Sequence, residues 1–300
     1  MINKPLISFC LFSYNQQEFI EEAIQGALSQ TYSPLEIIIS DDCSTDKTFD
    51  IIQDCIKQYA GPHTIILNRN DKNLGIREHW NKVCLSLAKG SIIVGAGGDD
   101  VSLPERTELS YSILLEHPEA MCVSFLSDTV DRYGKTLRPV PRDRFDKYVS
   151  VFSIKDYLAF RDFFIFGGDS RAFRREVMEI FGPLTFPDAE DIYVFLRCLL
   201  IGTICYSREP LVKYRKHGNN VSSKSSLSSQ RTFYQQIMRD ILYALDKGLI
   251  TKEIYLKLKV KFLKIHIRGY INYILGLIPF YNRIKVGFIR LCKRIARKFF

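Results

Sequence analysis

Apolar positions in the first hundred residues change period several times. Leu6–Phe12 is a short continuous apolar run, the pattern of a strand buried on both faces. Gln17–Leu28 has helical spacing, and Leu35–Ser40 is a β-branched run that ends on Asp41 and Asp42. Thr48–Tyr59 places Phe49, Ile52, Cys55 and Ile56 on one helical face. His63–Asn68 reads as a strand, Glu78–Ala88 as a helix, and Ser91–Ala96 as a strand that ends in Gly97-Gly98-Asp99-Asp100. Strand and helix therefore alternate, which predicts an α/β fold with a mostly parallel, Rossmann-like central sheet and helices on both faces. Ligands of such sheets bind beyond the carboxyl ends of the strands. Those ends carry Ser13-Tyr14-Asn15, Asp41-Asp42 and Asp99-Asp100, three polar clusters on one edge.

Beyond residue 120 the pattern loosens. Met121–Leu126 and Ile204–Val212 read as strands, Phe163–Phe173 as a further strand region and Asp188–Leu200 as a helix. Asp128–Val149 is polar and loop-like and holds Arg138, Arg142 and Arg144; Lys216–Ser229 is a Ser/Asn-rich loop, with helices to the end. The expected organisation is a main domain over 1–225, divided into halves 1–107 and 108–225. A helical C-terminal extension follows over 226–300.

Charge sharpens this division. Residues 251–300 carry 13 Lys/Arg and one acid, Glu253, a balance of +12, which leaves −3 for residues 1–250 of the total +9. The acidic folded part without a recognition motif argues against nucleic acid as a partner. The longest uncharged stretch of the tail, Gly269–Asn282, has 14 residues and includes Pro279, too short for the roughly 20 apolar residues of a helical span. Beyond it Ile284, Phe288, Leu291, Ile295 and Phe299 share one helical face, with Arg290, Lys293, Arg294 and Arg297 opposite. That pattern suits a helix lying on an anionic membrane surface, so residues 254–300 are expected to make that contact. A helix packed on the domain or on a second subunit is the other reading. The eight cysteines form no CxxC pair and suit reduced, buried thiols. The N-terminal apolar run lacks the cleavage site of a signal peptide. The expected location is cytoplasmic, at the inner face of the cell membrane.

Adjacent carboxylates after a glycine-rich strand end suit a hard divalent cation, Mg²⁺ or Mn²⁺, bridging to phosphates. The glycines Gly95, Gly97 and Gly98 would let backbone approach a ligand. A solvated turn explains the same residues. Ser44, Thr45 and Asp46 read as caps of the following helix. The acids Asp188, Glu190 and Asp191 fit either a helix N-terminus or a general base with its neighbour. His217 is a loop histidine or a group that reaches the site.

PLISFCLFSYNQQEFIEEAIQGALSQTYSPLEIIISDDCSTDKT resembles the opening of glycosyltransferase family 2, and so does NLGIREHWNKVCLSLAKGSIIVGAGGDDVSLPER. The likeness resumes at Glu190-Asp191 and at VKYRKHGNNVS and covers about two-thirds of the chain. The resemblance implies the GT-A fold and an inverting transfer from a nucleotide-sugar donor, UDP-linked, to a saccharide or lipid-linked acceptor. It implies that Phe12, Tyr14 and Asn15 line the nucleotide pocket, that Asp42 reads the base, that Asp99 lies near the ribose, and that Asp100 binds the metal. It makes Asp191 the general base and puts Glu190, Arg215 and His217, with Lys216, near the acceptor or the diphosphate. Gly98 stands where many relatives have another acid, which implies fewer protein ligands to the metal. A nucleotidyltransferase would show a phosphate loop after the first strand, where this chain reads FSYNQQEF. A catalytically inactive assembly partner is the other alternative, and Asp42, Asp99, Asp100 and Asp191 argue against it.

Overall fold

The computed structural model describes residues 4–137, 149–159, 168–185, 190–218, 220 and 227–276. Four parallel strands form its first half: β1 (Ile7–Ser13), β2 (Leu35–Asp41), β3 (Thr64–Arg69) and β4 (Ile92–Gly97), in the order β3-β2-β1-β4. The chain runs outward from β1 through β2 to β3 and returns to β4 on the other side of β1. The strand order thus reverses beside β1, the place where open α/β sheets bind ligands. Ser13 lies level with Asp41, and Phe12 with Gly97. This register brings all three polar clusters to one edge.

Helix α1 (Ile20–Leu28) buries Ile20, Ala23, Ile24 and Ala27 against the sheet, and α2 (Thr48–Lys57) buries Ile52. The helix expected from Gln17 starts three residues later, at Ile20. The helix expected over Glu78–Ala88 is two pieces, α3 (Gly75–Asn81) and a π-helical stretch, Lys82–Leu87.

The second half is mixed. Between α4 (Arg106–Glu116) and α7 (Glu190–Ile201) lie β6 (Ala120–Val130), β7 (Val149–Phe152), α5 (Ile154–Ala159), β8 (Ala172–Arg174) and α6 (Glu176–Phe181). β9 (Thr203–Arg215) follows α7 and runs parallel to β6 and antiparallel to β7 and to β5 (Val101–Ser102). β8 joins the halves by running antiparallel to both β4 and β6. The polar segment expected to be a loop from Asp128 continues β6 as far as Val130. Of the strand region expected at Phe163–Phe173, Gly168–Ser170 is a 3₁₀ turn and Ala172 opens β8.

Helices α8 (Leu227–Asp246) and α9 (Lys252–Gly276) complete the described chain. Ile237, Ile241 and Ala244 of α8 belong to the same buried cluster as Phe195, Leu196 and Leu199 of α7. The completely buried Arg197 makes a two-pronged pair with Asp240, at 2.8 Å and 3.1 Å, and also donates to the carbonyl of Gly182. Gln236 donates to the same carboxylate. Helix α8 is thus built into the same core as α7. The tail face expected at Ile284–Phe299 lies outside the described residues, as do Arg138, Arg142 and Arg144. No described helix is long and apolar enough to cross a membrane. The seven cysteines among the described residues are free thiols, five of them buried.

Candidate active site

Two neighbouring aspartates end β2, and each organises a different loop. Asp41 accepts from the backbone N–H and hydroxyl of Ser44, closing a turn. Asp42 is buried; its carboxylate accepts from Asn70 Nδ2 at 2.7 Å and from the backbone N–H groups of Leu74 and Gly75 at 2.8 Å each. Those N–H groups open α3, whose dipole favours the negative charge. Asn15 has a positive φ of 52° and accepts from the N–H of Thr45. Tyr14 is exposed at the same edge, 45% accessible. The ring of Phe12 lies flat on Trp80, with centroids 4.9 Å apart, and meets His79 edge-on. Burial holds His79 below its ordinary pKa, against the pull of Asp42 and Asp41, and its Nε2 lies 2.6 Å from the hydroxyl of Ser40.

The glycines before the acid pair serve the molecule's own packing. A methyl group on Gly95 would meet the ring of Trp80 at 3.3 Å, and one on Gly98 would meet Gln16 at 2.4 Å and the carbonyl of Phe12 at 3.1 Å. At these two positions atoms of this chain, side-chain and backbone, occupy the space beside the glycine.

Pairing of β5 with the end of β9 carries residues 213–217 to the acid pair. The backbone N–H of Arg215 donates to Asp100 Oδ1 at 2.8 Å, and His217 Nε2 lies 3.0 Å from Asp99 Oδ2. The guanidinium of Arg215 is buried and donates to the carbonyls of Asp99 and Arg132 and to Glu22, with Phe19 beneath it. Arg215 therefore holds the acid turn in place with donors already committed to protein acceptors. Lys216 is exposed next to it. Burial, reinforced by the charge of Asp99, lifts the Asp100 carboxyl well above the usual carboxylate range, against the hydrogen bond from Arg215.

Three residues that the sequence patterns did not single out connect this turn to Asp191. Arg106 is completely buried and donates to the carbonyls of Gly95, Asp169 and Arg171 and to the hydroxyl of Ser102. Burial lowers its pKa to about 10, although Asp169 and Asp100 oppose the shift. Asp169 accepts from the hydroxyl of Ser127 on β6. Arg171 donates to the backbone carbonyl of Asp191, in the first turn of α7. The Asp191 carboxylate is partly exposed and accepts from the N–H of Ile192. The side chain of Glu190 lies outside the described residues. Within the polar string LPERTE nothing marks Arg106, because its burial is a property of the fold.

The family model "Glycosyl transferase family 2" matches residues 8–181, more than half of the chain. The chain belongs to glycosyltransferase family 2. Among its relatives, the glycosyltransferase EpsE of Bacillus subtilis is 32% identical over 134 residues, which are 45% of this chain and 47% of EpsE. The chain thus spans about half of that relative. The teichuronic acid biosynthesis glycosyltransferase TuaG of Bacillus subtilis is 28% identical over 79% of this chain and 90% of TuaG. S. aureus TarS 1–349 in complex with UDP superposes with a TM-score of 0.67 at 16% identity, over 93% of this chain and 77% of that one. The mannosyltransferase PcManGT of Pyrobaculum calidifontis, in complex with GDP-Man and Mn2+, gives 0.57 at 18% identity, over 99% and 84%. These likenesses show the GT-A fold of this family 2 transferase.

The acid pair also fits a divalent cation on chemical grounds. A buried carboxylate beside a second one lacks a full counter-charge, because the nearby Arg106 directs Nη1 to the hydroxyl of Ser102 and Nη2 to backbone carbonyls, while its Nε has no hydrogen-bond partner among the described residues. Among the described residues no third His, Cys, Asp or Glu completes a protein-only site. Two carboxylates leave the remaining positions to phosphate and water, as Mg²⁺ prefers.

Proposed function

We propose that this family 2 enzyme transfers a sugar, with inversion, from a UDP-linked donor to a saccharide or lipid-linked acceptor in bacterial surface polysaccharide synthesis. The observation that carries the reading is the Asp99–Asp100 turn clasped by Arg215 and His217 at the reversal of strand order. TuaG, named for teichuronic acid biosynthesis, and TarS, with UDP-GlcNAc or UDP bound, support the acceptor and donor classes.

In this reading Phe12, Tyr14, Asn15 and Asp42 receive the nucleoside, and Asp99 lies near the ribose. Asp191 takes the proton of the acceptor hydroxyl as its oxygen attacks the anomeric carbon and the nucleoside diphosphate leaves from the opposite face. Arg171 orients Asp191, and His217 supports Asp99 beside the diphosphate. A divalent cation on Asp100 would neutralise the charge that develops on the leaving diphosphate. Residues 1–107 serve the donor, residues 108–225 the acceptor, and residues 254–300 attach the enzyme to the inner face of the membrane.

Release of nucleoside diphosphate by the purified chain from a panel of nucleotide sugars tests the reading. Asp100→Asn should lose on the order of a thousandfold or more in rate with its fold intact. Full activity in excess chelator, or near-normal turnover by this variant, would overturn the metal assignment. Asp191→Asn should cut turnover about a hundred- to ten-thousandfold and leave donor affinity nearly unchanged. Lost nucleotide binding at a preserved saturating rate would remove Asp191 from the role of base.

A further inference from the structure

Helix α9 is apolar on two opposite sides, and only one of them is covered. Leu258 and Phe262 are buried, with Ile254 and Ile265 beside them in the core that α8 and α5 complete. Tyr157 of α5 meets Phe262, and Tyr234 of α8 stacks on His266. On the other side, Leu256, Val260, Leu263 and Ile267 are 50%, 45%, 36% and 40% accessible. At 3.6 residues per turn these four positions fall within an arc of about 60°, directly opposite the packed residues. Four large aliphatic side chains in one exposed row over three turns are a surface that a partner covers.

The charges beside the row identify that partner. Exposed Lys252 and Lys259 flank it on one side, and exposed Lys257 and Lys264 on the other. Residues 252–267 contain five lysines and one acid, Glu253, which is already paired with Lys257 at 2.5 Å. A second copy laid against the row would bring lysines onto lysines. An anionic lipid surface accepts both components: the aliphatic row enters the acyl boundary, and the ammonium groups stay at the head groups on their long stems.

We propose that α9 lies flat on an anionic membrane, inserting Leu256, Val260, Leu263 and Ile267 and setting its flanking lysines among the phosphates. This rests on the membrane attachment read above and names the contact face. It also assigns the contact to a helix anchored in the catalytic core, upstream of the basic tail beyond 283.

Flotation of the full chain with vesicles of phosphatidylcholine, with and without phosphatidylglycerol, tests the proposal. The wild type should float with the anionic vesicles only, and less as salt rises. Leu256→Ser/Leu263→Ser should weaken the partition on the order of tenfold or more. Its melting temperature and its rate on a soluble acceptor should not change, because both side chains lie outside the core. If this variant floats like the wild type, the proposed face is wrong, while attachment through the rest of 251–300 stands. If the wild type does not float either, both readings fail. A concentration-dependent dimer in light scattering, abolished by the same variant and without vesicle binding, would make a second copy the occupant and overturn the proposal.

Discussion

The two acidic clusters at the sheet edge are held in different ways. Asp41 and Asp42 find their partners within 33 residues of chain, in loops attached to their own or adjacent strands. Asp99 and Asp100 receive theirs from 118 and 115 residues away, at the end of a strand on the far side of the sheet. A site held locally is complete once its own βαβ units form. A site held at long range depends on the second half folding back correctly, and it registers distant damage there. In the proposed assignment, the nucleobase end and the diphosphate end of the site should therefore fail differently when mutated.

The largest test of this contrast lies far from either cluster. Asp240→Ala strands the buried guanidinium of Arg197 and should cost about 3–5 kcal/mol of stability. Thermal or urea unfolding measures the loss. If the second half supports the diphosphate end, turnover at a permissive temperature should fall more than donor affinity. A small shift in melting temperature with unchanged activity would contradict the dependence.

Asp42→Asn should give an effect of intermediate size. It replaces charge-assisted bonds to the Leu74 and Gly75 N–H groups, worth about 1.5–3 kcal/mol together with the charge. The damage should stay local: donor dissociation, measured by calorimetry with the free nucleotide, weakens, while the rate at saturating donor changes little. An equal fall in saturating rate would show that the two ends are not independent.

Glu22→Gln should have the smallest effect. Arg215 is buried, but its partner Glu22 is 61% exposed, so water screens the pair and the change should cost under about 1 kcal/mol. Because the backbone N–H of Arg215 still reaches Asp100, activity should remain within a few-fold of wild type. A loss beyond tenfold would mean that the ion pair, rather than the strand pairing, positions the acid turn.

The same contrast explains what could be read from the chain beforehand. β1, β2 and β4 announced themselves because strands inside the sheet are largely buried and apolar, and their carboxyl ends carried the three polar clusters that the register does bring to one edge; β3, the half-exposed edge strand, showed only its Ile65–Leu67 run. β5 and β8, with two and three residues, are too short to have a period, although one positions His217 and the other joins the halves. Helix α4 turns Arg106, Thr107 and Ser110 inward beside Tyr111 and Leu114, so its buried face is half polar. Helix α9 has apolar residues on opposite sides, which cancel as a one-sided pattern. The expectation that Arg215 lies near the acceptor or the diphosphate says nothing of its buried guanidinium, because burial and committed donors leave no trace in a string such as KYRKH. The charge division falls at 251, beyond α8, and that helix packs into the same buried cluster as α7.

The clamp between Arg197 and Asp240 also bears on descent. Neither residue can change alone without leaving a charge stranded in apolar surroundings, so the two positions should change together although 43 residues separate them. A lineage that replaces the arginine with an aliphatic residue must lose the carboxylate in the same step or pass through a poorly folding intermediate. Recombination that joins one parent's sheet to another's C-terminal helices meets the same barrier, and a productive crossover has to fall outside the stretch from Arg197 to Asp240.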